Sequence, residues 1–429
     1  MEVLFVTDDS GQPYNINAVN LNTGETISHF KGGASSSKTL CQIKQEVLIS
    51  ALPKKAVLNV FEMNRRVQQP LKVAVPGVPN YLTSSPSGDY LAAAIGEKVF
   101  LWEVTDGDLL AILSRHYLDV TSLSFTSDSG FLISSGKDGM VAVWDVADVI
   151  NTDHVQQKQP FLCWTDHILA VNCITCSTAG FGNSRIYTGS TDKTVKIYDI
   201  FLGSMLRSLV FDFEITAMCV DHAESMLFVG GANGCIGLFN LATSPEKHHD
   251  IMAASITENY QKSKGIDYFN AHSGSVSSLV CNCDASVIVS GSADCTVKTW
   301  NANMQYTKVL HFEGPVSNLL LTIPSSTLSS ATSKSWFAFP KLSHAMSVNK
   351  SDEKSLQRCR LNAKFVASKQ STVCTKPFSP VILKNISRKQ FSAVDDSRNK
   401  LQQLSNQVHV LQKENENLYN FVMDKVLPK

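Results

Sequence analysis

The stretch HSGSVSSLVCNCDASVIVSGSADCTVKTWN, at residues 272–301, decides the fold of this chain. It contains three short runs rich in β-branched and small residues, at residues 275–280, 287–290 and 296–300, with Asp, Ser, Ala and Gly between them. β-Branched residues favour strands, while Asp, Ser and Gly favour tight turns. The stretch therefore predicts three short strands joined by turns.

Four positions in this stretch resemble the tetrad of a WD repeat, in which a His, a Ser or Thr, an Asp and a Trp form one hydrogen-bonded chain. A buried indole and a buried carboxylate both need partners, and a closed chain of donors and acceptors satisfies them together. In the third set, we expect a tyrosine hydroxyl to replace the indole N–H. The three predicted tetrads are His272, Ser290, Asp294 and Trp300; His116, Ser134, Asp138 and Trp144; and His167, Thr188, Asp192 and Tyr198.

The aromatic position of the tetrad recurs along the chain at separations of 61, 41, 54, 42, 41 and 42 residues. Four of these lie within the WD period of about 40 to 45 residues. The two longer ones imply insertions, at residues 151–163 and 244–268, where we expect recognition loops. The positions, read backwards, are Trp300, Phe239, Tyr198, Trp144, Trp102, Phe61 and, weakly, Val19.

Seven units predict an all-β, seven-bladed WD-repeat β-propeller over residues 1–323. A single repeat cannot bury its own faces, so the ring must close. Residues 315–321 resemble the first strand of another unit, and we expect them to pair with the N-terminal blade, which removes two exposed sheet edges. Four blades lack a full tetrad: Glu97 is one residue off the Asp position in the third, and Asn233 predicts a partial network in the sixth.

The composition is typical of a folded chain, with 429 residues, 43% hydrophobic and 18% charged. We expect no transmembrane span and no signal peptide, because the chain has no apolar run of about 18 residues and no basic leader. Eleven cysteines without framework spacing predict a reducing compartment. Cys173 and Cys176 form a C-x-x-C within a predicted strand, where residues three apart face opposite sides, which favours buried cysteines over a shared metal.

Charge divides the chain into two parts. Residues 1–323 contain 21 Lys and Arg against 31 Asp and Glu, and residues 324–429 contain 17 against 7. Residues 324–394 are basic, rich in Ser and Thr and aperiodic, which predicts a largely disordered linker with short docking pieces such as residues 335–340. The positive charge suits contact with RNA or an acidic protein surface, or simply keeps a tether solvated.

The C-terminal residues 395–429 predict a coiled-coil helix that pairs two copies or docks a partner. A helix that packs back on the propeller would show a similar stripe, but the regular alternation of three and four residues beyond a long linker favours intermolecular pairing. An asparagine in the seam selects register and strand number at some cost in stability. The seam residues are Leu401, Leu404, Val408, Leu411, Asn415, Leu418 and Val422.

Three stretches resemble the WD-repeat subunits of the rixosome: SRHYLDV at residues 114–120, LVFDFEITAM at 209–218 and LQKENENLYNF at 411–421. The resemblance implies a non-catalytic scaffold that works with a proline-, glutamate- and leucine-rich armadillo-like subunit and a HEAT-repeat subunit. It also implies binding to the pre-60S particle and its remodelling ATPase, and a role in processing the second internal transcribed spacer. The implied location is the nucleus, in the nucleolus and nucleoplasm, and the terminal helix of the family pairs two copies.

Enzymatic function has no motif to support it, since no G-x-x-x-x-G-K-[ST], G-x-S-x-G or H-E-x-x-H occurs. The His and Asp of the tetrads recur in three blades, whereas catalysis needs one convergent site. We therefore expect no catalytic residue, metal or cofactor; His248 and His249 lack an evident third ligand. The alternative function is that of a generic WD-repeat adaptor, such as a substrate receptor of a ubiquitin ligase.

Overall fold

The computed structural model describes residues 2–10, 14–31, 35–44, 46–63, 70–151, 158–177, 185–241, 261–263, 266–282, 284–301, 304–322 and 339–344. The strands of the first half of the ring are β1 Val3–Asp8, β2 Tyr14–Asn20, β3 Thr26–Lys31, β4 Cys41–Ile43, β5 Val47–Ala51, β6 Val57–Glu62, β7 Leu71–Ala74, β8 Tyr81–Ser84, β9 Tyr90–Ile95, β10 Lys98–Glu103 and β11 Leu109–Ser114. The next blade comprises β12 Val120–Phe125, β13 Phe131–Gly136, β14 Val141–Asp145, the short helix α1 Val146–Asn151 and β15 Leu162–Trp164. The remaining strands are β16 Val171–Cys176, β17 Arg185–Ser190, β18 Thr194–Asp199, β19 Met205–Val210, β20 Ile215–Val220, β21 Met226–Gly231, β22 Cys235–Asn240, β23 Gln261–Ser263, β24 Ile266–Asn270, β25 Val276–Cys281, β26 Val287–Ser292, β27 Thr296–Asn301, β28 Tyr306–His311 and β29 Val316–Thr322.

These strands form seven antiparallel sheets, which are the blades of the propeller. From the inner to the outer strand they are β29-β1-β2-β3, β4-β5-β6-β7, β8-β9-β10-β11, β12-β13-β14-β15, β16-β17-β18-β19, β20-β21-β22-β24-β23 and β25-β26-β27-β28. The inner strands of neighbouring blades contact one another from β4 through β8, β12, β16, β20 and β25 to β29. The prediction of a seven-bladed all-β propeller is confirmed.

The aromatic positions that set the period lie in the third strand of every blade. Even Val19, the weakest of the seven, lies in β2 opposite Leu4. Each of these side chains is buried, and each is paired with an apolar residue of the second strand. The other six pairs are Phe61 with Leu48, Trp102 with Leu91, Trp144 with Leu132, Tyr198 with Ile186, Phe239 with Leu227 and Trp300 with Ile288.

The ring closes through the pairing of β29 with β1, as the sequence predicts. The two strands are antiparallel and in register from Val3 opposite Thr322 to Thr7 opposite Asn318, with a bulge before Asp8. The last strand of the propeller is therefore the innermost strand of the first blade. This arrangement gives both ends of the array a hydrogen-bonded neighbour.

Polar side chains on the inner strands join neighbouring blades near the axis. Asn172 Nδ2 donates to the Ile215 carbonyl at 2.8 Å, and Thr216 Oγ1 donates to the Val276 carbonyl at 2.6 Å. Lys38, at the start of blade two, donates from Nζ to the Asn172 carbonyl of blade five at 2.6 Å. Since these two blades are three apart in the ring, the Lys38 side chain crosses the axis, and burial lowers its pKa.

The two predicted insertions are shorter than expected, because the outer strands of their blades lie within them. Leu162–Trp164 is the fourth strand of blade four, and Ile266–Asn270 is the fourth strand of blade six. Gln261–Ser263 adds a fifth strand to blade six. The C-terminal ends of both insertions are therefore strand rather than loop, and recognition by the insertions and the propeller rim stays a prediction. Among the described residues, no helix has the length and apolar character needed to cross a bilayer.

Candidate functional site

The tetrad residues of blade four lie together as one hydrogen-bonded chain. Trp144 Nε1 donates to Ser134 Oγ at 3.0 Å, and Ser134 Oγ lies 2.9 Å from His116 Nε2. His116 Nδ1 lies 3.2 Å from both carboxylate oxygens of Asp138. A neutral histidine with its proton on Nδ1 lets every member donate to the next, from indole to hydroxyl to imidazole to carboxylate.

Blade seven repeats this chain with nearly the same distances. Trp300 Nε1 lies 2.8 Å from Ser290 Oγ, which lies 2.8 Å from His272 Nε2. His272 Nδ1 lies 3.0 Å from Asp294 Oδ2. The Asp294 carboxylate also accepts hydrogen bonds from the Thr296 hydroxyl at 2.6 Å and from two backbone amides. The carboxylate therefore ends the chain and fixes the tight turn.

The charge states agree with this direction of donation. Burial lowers the pKa of His272, against the pull of Asp294, so the neutral imidazole is favoured. For Asp294, burial opposes ionisation, but hydrogen bonds from Thr296 and His272 lower its pKa to about 2. In blade four burial also opposes ionisation of Asp138, but its interactions with His116 and with the Tyr117 and Met140 amides together lower its pKa. In blade seven the pair is thus a neutral histidine against an ionised carboxylate.

Blade five keeps three members of the tetrad and changes the fourth. His167 Nε2 lies 2.8 Å from Thr188 Oγ1, and His167 Nδ1 lies 2.9 Å from Asp192 Oδ2. The Tyr198 hydroxyl, however, has no hydrogen-bond partner among the described residues. The Tyr198 ring instead stacks on Trp164, with centroids 4.4 Å apart. Donation by the tyrosine hydroxyl in place of the indole therefore stays a prediction, and the contact that holds the ring in the structure is its stacking on Trp164.

Blade three lacks a tetrad serine, and a distant segment supplies the missing acceptor. In a complete tetrad, the serine pairs with the residue two positions before the tryptophan. In blade three, Ala93 occupies this place before Trp102. Trp102 Nε1 donates instead to the Ser343 carbonyl at 2.8 Å. Ser343 also accepts a bond from the Leu109 amide at 2.5 Å and donates its own amide to the Gly107 carbonyl at 2.8 Å.

Residues 339–344, which we name the strap, also pack apolar side chains against the propeller. Phe339 and Leu342 are buried in the core shared by blades two and three. Gly107 has a φ of +75°, and a Cβ there would lie 2.2 Å from the Lys341 carbonyl oxygen. Of the docking segment expected at residues 335–340, Phe339 and Pro340 are described and lie in the strap. The sequence did not predict that Ser343 accepts the indole hydrogen bond. The only sign of this role is that position 93, where the tetrad serine would lie, is not a serine.

Other predicted positions do not assemble into a site. In blade six, Asn233 Oδ1 accepts from the Cys235 amide at 3.1 Å, which helps to hold its own turn. Cys173 and Cys176 lie in β16, and burial raises their pKa values to about 11 and about 12, which keeps both thiols protonated at neutral pH. His248, His249 and the seam residues from Leu401 to Val422 lie outside the described residues.

We expect Ser290→Ala to lower the free energy of unfolding by about 1 to 3 kcal/mol, because it leaves the buried Trp300 indole and the His272 Nε2 without their shared partner. Urea unfolding followed by circular dichroism measures the change. Ser286→Ala, at an exposed position of the same blade, is the matched control and should be close to neutral. Equal effects of the two variants would contradict a stabilising role for the tetrad.

We expect Gly107→Ala to release the strap, because the new Cβ collides with the Lys341 carbonyl. Gly96→Ala is the matched control: Gly96 has a φ of +59°, so it carries similar backbone strain, but no atom lies within 4 Å of its Cβ position. Hydrogen exchange measured by mass spectrometry should speed up in residues 339–344 for Gly107→Ala only. The same change in both variants would show that backbone strain, not strap contact, is responsible.

Comparison with known proteins agrees with this geometry. The family WD domain, G-beta repeat, matches residues 107–145, 158–199 and 263–301, which contain the three predicted tetrads. WD repeat-containing protein 18 of Bos taurus is 31% identical over 98% of this chain and 97% of its own length, and the Homo sapiens protein gives the same values. The pre-rRNA-processing protein IPI3 of Yarrowia lipolytica is 29% identical over 66% of this chain and 67% of its own length. The chain therefore belongs to the WD repeat-containing protein 18 family.

Proposed function

We propose that this chain is a non-catalytic scaffold subunit of the rixosome that acts in nuclear maturation of the large (60S) ribosomal subunit. Its task there is to support processing of the second internal transcribed spacer of the pre-rRNA. The observation that carries the proposal is the match to WD repeat-containing protein 18 along nearly the whole chain. The name of the related IPI3 protein adds pre-rRNA processing.

The geometry supports a scaffold rather than an enzyme. In the three predicted tetrads, each histidine is buried and hydrogen-bonded to both a hydroxyl and a carboxylate of its own blade. A catalytic triad has the same bonds but exposes its hydroxyl to the substrate, whereas the tetrad hydroxyls of Ser134, Thr188 and Ser290 are fully buried and out of a substrate's reach. Several large apolar side chains are exposed on the described loops, and exposed apolar surface is typical of sites that contact proteins.

The proposed partners are the proline-, glutamate- and leucine-rich armadillo-like subunit, the HEAT-repeat subunit, and the pre-60S particle with its remodelling ATPase. We propose a nuclear location, in the nucleolus and nucleoplasm, because pre-rRNA is processed there. The basic residues 324–394 suit contact with RNA, and residues 395–429 suit pairing of two copies.

Affinity purification of the tagged full chain from nuclear extract tests the assignment. We expect recovery of the two repeat-protein subunits together with large-subunit precursors that still contain the second internal transcribed spacer, detected by hybridisation. Depletion of the chain should increase this precursor, and re-expression should reverse the increase. Recovery of a cullin adaptor without ribosomal proteins would instead favour a ubiquitin-ligase receptor.

We expect Leu411→Asp to halve the mass of the purified chain in light scattering, because a carboxylate at a seam position opposes burial between two helices. Gln412→Asp adds the same charge at the adjacent position off the seam and should leave the dimer intact. The far-ultraviolet circular dichroism of the propeller should be the same for both. A dimeric Leu411→Asp chain would contradict pairing through this helix.

A further inference from the structure

Two loops on one face of the ring expose large apolar side chains. Tyr117 and Leu118, which follow the tetrad histidine of blade four, are 70% and 53% exposed, and Ile168 and Leu169, which follow that of blade five, are 88% and 50% exposed. We name these four residues the inter-blade patch. In blade seven, Ser273 and Gly274 occupy the same two positions. The tetrad itself therefore does not require apolar residues there.

The turn at Asp138 and Gly139 connects the two halves of the inter-blade patch. The Asp138 carboxylate accepts a hydrogen bond from the Tyr117 amide at 3.1 Å. The next residue, Gly139, packs so closely on the following loop that a Cβ would lie 2.7 Å from the His167 carbonyl oxygen and 3.2 Å from that of Leu169. Asp192 fixes the Ile168 amide in the same way, at 3.3 Å. The patch is thus preorganised, which reduces the entropy lost when a partner binds.

A cavity of about 300 Å³ adjoins the patch beside Tyr117. Its lining includes two cations, Arg115 and Lys158, of which Lys158 donates from Nζ to the Val149 carbonyl, and one anion, Glu97. Arg115 Nε is buried and has no hydrogen-bond partner among the described residues. A buried donor without an acceptor is unfavourable, and a carboxylate is the acceptor that best suits a guanidinium. The cavity therefore favours an anionic group next to the apolar patch.

We propose that the inter-blade patch and this cavity together bind a segment of a partner protein that carries a carboxylate side chain beside two or more large apolar side chains. The apolar side chains cover Leu118, Ile168 and Leu169, and the carboxylate enters the cavity toward Arg115. This surface goes beyond the proposed function, since it is independent of the assembly in which the chain acts. A nucleic acid fits less well, because three of the four patch side chains are aliphatic and only Tyr117 offers a stacking face, and because the two cations lie in one cavity rather than along a strand.

A library of random 16-residue peptides displayed on phage, selected on the immobilised full-length chain, supplies the probe. We expect enriched sequences to combine Asp or Glu with Leu, Ile, Phe or Trp. One enriched peptide is then synthesised with a fluorescent label and titrated by fluorescence polarisation. The double variant Ile168→Ser with Leu169→Gly, which reproduces the pair found in blade seven, should weaken binding at least tenfold.

Two further variants separate the patch from its surroundings. Phe201→Ser with Leu202→Gly makes the same change at an exposed apolar pair of blade five, in the turn between its third and fourth strands, and should leave affinity unchanged. Arg115→Gln with Lys158→Gln should weaken the acidic peptide several-fold but not a version in which Gln replaces its Glu and Asn its Asp. Thermal melts of all variants identify any that fail to fold, and Tyr117→Ser with Leu118→Gly then replaces the failed patch variant.

Several outcomes would overturn the proposal. They are no enrichment above the uncoated surface, binding that survives in a folded patch variant, and binding that is lost in the Phe201 and Leu202 control. A fluorescein-labelled 20-nucleotide poly(U) RNA is titrated in parallel. Tight RNA binding that depends on Arg115 and Lys158, without selected peptides, would assign the surface to nucleic acid and also overturn the proposal.

Discussion

The antiparallel pairing of Val316–Thr322 with Val3–Asp8 is the constraint on which the ring depends, because it joins the two ends of the array. Strand β1 serves two interfaces through the alternation of its side chains. Leu4 and Val6 belong to a buried cluster with residues of blade seven, while Val3 and Phe5 belong to another with residues of blade two. One short strand therefore carries apolar contacts to both neighbours of the blade that closes the ring.

Blades are held by different means, and the difference follows from which buried polar groups each one contains. Blades four and seven satisfy a buried indole with a complete tetrad, and blade five replaces the indole bond with ring stacking on Trp164. Blade three buries Trp102 without a tetrad serine, so its indole needs an acceptor from elsewhere. The strap provides that acceptor, which makes residues 339–344 part of the propeller although the sequence places them in the linker.

Sequence could predict the ring because its signal is the buried third strand, where every aromatic position from Phe61 to Trp300 recurs opposite an apolar residue. It could predict the closing strand because residues 315–321 resemble the first strand of a further unit. It missed the outer strands at the ends of both insertions, since outer strands such as Tyr306–His311 are mostly exposed and show little apolar pattern. The strap was only partly predicted, because its acceptor for Trp102 is a backbone carbonyl, and any residue type supplies one.

The tetrad aspartates link the fold to recognition. Asp138 and Asp192 each end a buried hydrogen-bond chain, and each also accepts from the amide of the residue that follows the tetrad histidine. The hydrogen bond therefore fixes the backbone of that loop. The side chain of the residue after the histidine points outward and takes no part in the tetrad. Tyr117 and Ile168 on two blades, and Ser273 on a third, share this backbone position with different chemistry. A propeller built in this way can change the surface that it offers to partners without altering the bonds that hold its blades.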